Sequence, residues 1–133
     1  MRKQLDIVTL SLLLNVFPIY IFIYRNDYTQ SILCILSTEF SFLYHVTYES
    51  SKLFLYLDAI FATLCSINFI INVIHSYYVW YYSTMIILSL FFYYMATGRD
   101  KDDKRTKKYI IYHTLWHISA SITATSYGLF EKI

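Results

Sequence analysis

The sequence predicts an all-α fold: a multi-pass transmembrane helical bundle of about five spans, with residues 1–133 forming a single transmembrane domain. Three observations lead there. Hydrophobic residues make up 57% of the chain and charged residues only 15%, which is too apolar for an ordinary soluble domain. The apolar residues fall into stretches of about 20, the length that a bilayer core requires. The charges gather in the short segments between those stretches, and the chain holds two glycines and one proline to interrupt them. A net charge of +2 is too small to suggest a polyanionic partner, so nucleic acid is not expected.

The expected spans are Leu5–Tyr24, Ser31–Thr47, Lys52–Ile74, Tyr78–Ala96 and Tyr109–Phe130. The first follows Arg2 and Lys3, but it lacks a small-residue cleavage site and its apolar run is long for a signal core, so it reads as a helix. Pro18 is expected to kink that helix or to mark its outer end. Cys34 and Cys65 fall inside spans without CxxC spacing and read as small core residues. Asn68 and Asn72 stack one turn apart and suit interhelical hydrogen bonding. The basic run from Arg99 to Lys108, mixed with Asp100, Asp102 and Asp103, reads as a solvated loop.

Loop parity sets the expected orientation. The side that holds the N-terminus and the loops after the second and fourth spans carries nine basic residues, against Arg25 and Lys132 on the other. The positive-inside rule then places the N-terminus in the cytosol. Tyrosines near span ends, such as Tyr77, Tyr78, Tyr81 and Tyr82, suit an interfacial belt.

The last span carries His113 and His117 four residues apart, which puts both imidazoles on one helix face. Ionisable side chains are costly in apolar spans, so two on one face call for a reason. His45 lies near the cytosolic end of the second span with Ser41 one turn deeper, and Asp58 lies about two turns into the third. Ser121 and Thr125 continue the histidine stripe inward. Three spans thus bring three histidines, an aspartate and a serine to one depth. The remaining histidine, His75, falls at the opposite end, and Glu39 lies in the second span at an angle that leaves its role open. Three neutral imidazoles suit zinc and leave a fourth position for water, whose ionisation zinc promotes. Beside such an ion, Asp58 could serve as base or ligand orienter, and Ser41 could donate to an oxyanion.

The pattern Ser41-Phe-Leu-Tyr-His45, then Asp58, then His113-Thr-Leu-Trp-His117 resembles the CREST superfamily of membrane hydrolases, which includes alkaline ceramidases, progestin and adiponectin receptors and myomaker-like proteins. The resemblance implies zinc on His45, His113 and His117, with Asp58 and Ser41 beside the water. It covers roughly Ser41–Asp58 and His113–Tyr127. That family has a seven-helix core, and the 54 residues between Asp58 and His113 leave this chain two helices shorter. Losing an even number of helices preserves sidedness, so the chain reads as a reduced version of that fold. The expected activity is zinc-dependent hydrolysis of a lipid amide, ceramide-like, or of an ester. Its partners are a membrane lipid substrate and the bilayer, and an oligomer stays open. A second reading is a non-catalytic, myomaker-like membrane protein that keeps the histidines as a structural metal clip. A haem pair is a third, but His113 and His117 share one helix face, whereas axial ligands approach iron from opposite sides.

Overall fold

A computed structural model describes residues 6–47, 49–96 and 106–131. Among these residues the chain is all-helical: α1 (Ile7–Ser11), a 3-10 turn (Leu12–Asn15), α2 (Val16–Tyr24), α3 (Tyr28–Val46), α4 (Lys52–Ile74), α5 (Val79–Met95) and α6 (Lys107–Phe130). The first three elements run on as one rod, so the five expected spans are five helical rods. Asp6, Asp27, Ser51 and Thr106 each accept a hydrogen bond from a backbone N–H of the first helical turn. Those caps supply acceptors for N–H groups that a helix start leaves unsatisfied. They also explain why α3 and α6 begin earlier than apolarity alone predicts. Of the basic run Arg99–Lys108, expected as a loop, residues 99–105 lie outside the described residues, and Lys107 and Lys108 belong instead to the first turn of α6.

Pro18 sits inside α2, not at its end, and the rod tightens to 3-10 geometry just before it. Proline brings no N–H to the carbonyl four residues back. That carbonyl belongs to Leu14, and Ser121 on α6 donates its hydroxyl to it at 2.8 Å. The defect in one rod is therefore met by a polar residue on another.

Around the bundle the neighbours run α4, α3, the first rod, α6 and α5. The α3–α4 and α5–α6 interfaces are broad, whereas α4 and α5 touch only slightly. Two contacts fasten the end remote from His45. Arg25 Nη1 donates to the carbonyls of Tyr127 and Gly128 at 3.1 and 2.7 Å, capping the last turn of α6. The Glu131 carboxylate accepts from the backbone N–H groups of Tyr77 and Tyr78 where α5 begins. Within the ring, Gln30 on α3 accepts from Asn68 on α4, the interhelical bond that the sequence suggested.

Among the described residues, two helices are long and apolar enough to cross a membrane: the Ile7–Tyr24 rod and α4. The α5 helix is apolar but has 17 residues. The interior faces of α3 and α6 carry polar groups, among them Gln30, Ser41, Thr114, Ser119, Ser121 and Thr123, all buried. Their polarity belongs to the inside of the bundle.

Candidate metal centre

His45 comes from the last turn of α3, and His113 and His117 come from the first half of α6. Those helices run antiparallel, so a residue late in one meets residues early in the other. All three histidines are buried, with 1, 8 and 5% of their surface exposed. The rings meet edge-on around a common centre. Centroids are 4.8 Å apart for His45 and His113, 5.6 Å for His45 and His117, and 4.7 Å for His113 and His117. One nitrogen from each ring lies within 4.8 Å of the others, so the three can hold a metal ion. Nitrogens bound to one tetrahedral zinc at 2.0–2.1 Å stand about 3.3 Å apart, a modest contraction from this arrangement.

The hydrogen bonds at His117 decide which of its nitrogens is available. Ser11 Oγ lies 2.6 Å from the Val8 carbonyl and 2.8 Å from His117 Nδ1. The carbonyl can only accept, so the single hydroxyl proton goes to Val8. The Ser11 oxygen then accepts from His117 Nδ1–H, and the Val8 carbonyl lies 3.3 Å from the same nitrogen as a second acceptor. With Nδ1 protonated, Nε2 carries the lone pair. That atom is buried with no hydrogen-bond partner among the described residues. A buried imidazole nitrogen left so is costly in a packed interior unless something binds it. The donor set and this orphaned lone pair fit a divalent ion that prefers nitrogen ligands.

On the other side of the cluster, His45 Nδ1 lies 2.8 Å from Glu49 Oε1, and the Tyr109 hydroxyl donates to the same oxygen at 2.6 Å. His113 is flanked by the rings of Tyr109 and Trp116. Sequence reasoning missed both Ser11 and Glu49. The signal for Glu49 was its position four residues after His45; for Ser11, no local signal exists.

Asp58 and Ser41 are not ligands in this cluster, but they adjoin it. Asp58 is half-buried and close enough to Ser41 and His45 for both to act on its carboxylate. A cavity of about 140 Å³ inside the ring is lined by Ser41, Asp58, Trp116 and His117. A larger one, of about 570 Å³, lies between α4, α5 and α6 and is lined by Asp58, Tyr93, His113 and Trp116. Asp58 and Trp116 line both. The sequence-expected residues His45, His113, His117, Asp58 and Ser41 therefore meet at one end of the bundle.

The other candidates lie elsewhere. His75 is exposed beyond the far end of α4, its Nδ1 2.9 Å from the Ile71 carbonyl. Glu39 is exposed on α3, apart from the cluster. Cys34 and Cys65 are half-buried, and they face each other across α3 and α4 with sulfurs 3.3 Å apart. Compared with known proteins, the chain matches no family model, no curated protein and no solved structure.

Proposed function

We propose that this chain is a multi-pass membrane protein that binds zinc at His45, His113 and His117 and hydrolyses an amide or ester bond of a membrane lipid. The observation that carries the proposal is the buried histidine trio, with the His117 Nε2 lone pair unpartnered among the described residues, beside a cavity lined by Asp58. Zinc held by three imidazoles supplies a Lewis acid and a water that ionises near neutral pH.

The chain's own residues supply the rest. Asp58 faces both cavities, where a carboxylate can take a proton from an attacking water and return it to the leaving group. Ser41 has one hydroxyl proton. Donated to Asp58, it holds the carboxylate in place; once Asp58 is itself protonated, that hydroxyl is released to donate to a developing oxyanion. The larger cavity, about 570 Å³, falls within the roughly 300–1,000 Å³ of small-molecule sites. It opens where α4 and α5 barely touch, with Leu55 and Leu90 exposed on its walls. An apolar chain entering sideways from a bilayer would bring a carbonyl to Asp58 and His113.

Exposed apolar surface supports the membrane reading. Along the 18 most apolar residues of α4 no residue is fully buried within the protein, unlike the core helix of a soluble domain. The polar inner faces of α3 and α6 are tolerable in a bundle because they turn away from lipid. The basic residues of the sequence put the N-terminus and the metal centre toward the cytosol.

Metal analysis by mass spectrometry on detergent-purified protein tests the centre. About one zinc per chain is expected in the wild type, and none in a His113→Ala/His117→Ala variant. A folded wild type that carries and takes up no metal would remove the hydrolase. If zinc is present, incubation with ceramides and related lipid amides is expected to release fatty acid, and Asp58→Asn is expected to abolish release while zinc stays bound.

A further inference from the structure

Beyond the ligands, one acidic side chain holds an imidazole from behind. Glu49 lies just past the end of α3, where its N–H donates to the Tyr44 carbonyl at 2.9 Å. Its φ is +58°, the left-handed region in which glycine or asparagine is the usual occupant after a helix. A glutamate there gives up backbone ease, and the turn brings its carboxylate back over the last turn of α3. His45 and Glu49 side chains are 0 and 2% exposed. One oxygen, Oε1, meets both His45 Nδ1 and the Tyr109 hydroxyl. The carboxylate oxygen accepts from the tyrosine, and the neutral imidazole that a metal requires donates to it through Nδ1–H. Nε2 then carries the lone pair, as a metal ligand requires. Tyr109 stands one turn before His113 on α6, so the carboxylate is fixed by the same helix that brings the other two ligands.

We infer that Glu49 is a positioning residue for the metal centre: with Tyr109 it fixes His45 as the Nδ1–H tautomer and aims Nε2 at the ion. This rests on the metal-centre reading. It assigns a role to a residue outside the ligand set, and it couples the α3 ligand to the docking of α6. Glu49 would act through His45 and touch no substrate.

The left-handed turn makes the test clean, because glycine there relieves the backbone while removing the carboxylate. Full-length wild type, Glu49→Gln, Glu49→Gly and Tyr109→Phe would be purified in detergent, stripped with chelator and titrated with zinc against a chromophoric competitor. The same proteins labelled with ¹⁵N-histidine would report the His45 tautomer by NMR, assigned against His45→Ala. Glu49→Gly is expected to melt no lower than wild type, yet to bind zinc roughly 10–100-fold more weakly, as when a ligand loses its orienting partner. Its His45 is expected to lose the pure Nδ1–H signature. Glu49→Gln, which keeps an acceptor, is expected to retain the tautomer and most of the affinity, with Tyr109→Phe between the two. A Glu49→Gly variant with wild-type affinity and an unchanged tautomer overturns the inference and leaves the centre standing. Weaker zinc binding accompanied by a lower melting temperature and an unchanged tautomer marks a structural role, and overturns it too. A wild type that binds no zinc overturns the centre and this inference with it.

Discussion

Ser11 sits in the short α1 and fixes the tautomer of a histidine 106 residues away, through a hydroxyl whose one proton goes to the Val8 carbonyl. On the proposed metal reading, Ser11→Ala leaves His117 Nδ1–H with only that carbonyl, at 3.3 Å, and weakens zinc binding. Because one acceptor remains, the expected loss is roughly tenfold, the low end of what removing a ligand's hydrogen-bond partner costs. A competition titration measures it, and unchanged affinity would take Ser11 out of the centre. The histidine trio was legible in the sequence because helical period alone puts His113 and His117 on one face, and span parity brings His45 to the same end. Ser41 and Asp58 were legible by the same depth argument. Ser11 was not, because which face of the first rod docks on α6 is a tertiary outcome with no local signature. Glu49 was hidden differently. Its position after α3 was visible, but its reach back to His45 depends on a left-handed residue that sequence gives no reason to expect of glutamate.

Between elements, closeness is set by small residues and by polar groups that meet across interfaces. Gly128 on α6 is buried against the first rod, and a Cβ there would come within 2.5 Å of Ile21 Cγ2. Gly128→Ala therefore forces Ile21 aside, or parts the helices next to the Arg25 cap on the Gly128 carbonyl. Overpacking of this kind costs about 1–3 kcal/mol, and thermal unfolding in detergent is expected to show a lower midpoint. An unchanged midpoint would mean that Ile21 moves freely. The α3–α4 interface has its own probe. Cys34 and Cys65 lie 3.3 Å apart, and Gln30 Nε2 donates to both sulfurs. Copper-phenanthroline oxidation is expected to join them within one chain, seen as the loss of two hydrogens in the intact mass and reversed by reductant. Failure to cross-link, with both thiols still alkylated, would place α3 and α4 in another register. Helix existence was legible here from apolar runs, whereas the caps that start α3 and α6 earlier were not read. Pairing was not: two cysteines without CxxC spacing say nothing of their distance, and Pro18 does not announce that Ser121 will meet the Leu14 carbonyl.

At the scale of the whole molecule, the apolar residues are largely on the outside. Along α4, Leu53, Tyr56, Ile60, Ile67, Ile71 and Ile74 are all exposed, at spacings of three, four or seven residues that trace one helical stripe. Apolar area left in water forgoes about 25 cal/mol per Å², so a stripe of this length favours a lipid surround or a second protein surface. The number of rods was legible in the sequence, because each is a separate apolar run. Their order around the ring, with a weak seam between α4 and α5, was not, since apolarity marks a helix for burial without naming its neighbour. Membrane crossing divides into two countable cases. If all five rods cross, the termini lie on opposite sides; if only the Ile7–Tyr24 rod and α4 cross, they lie on the same side. The proposed reading is the first. Interior polarity lets α3 and α6 cross as parts of a bundle although neither would cross alone, and α5 at 17 residues lies at the short end of the roughly 17–25 that can span. A glycosylation acceptor fused to the C-terminus is then expected to be modified, and the same acceptor fused to the N-terminus is not. The chain should also stay in the membrane pellet through an alkaline carbonate wash. Retention with neither terminus modified supports two crossings. It would leave α3, α5 and α6 outside the bilayer and detach the histidine centre from any lipid reached through the α4–α5 seam.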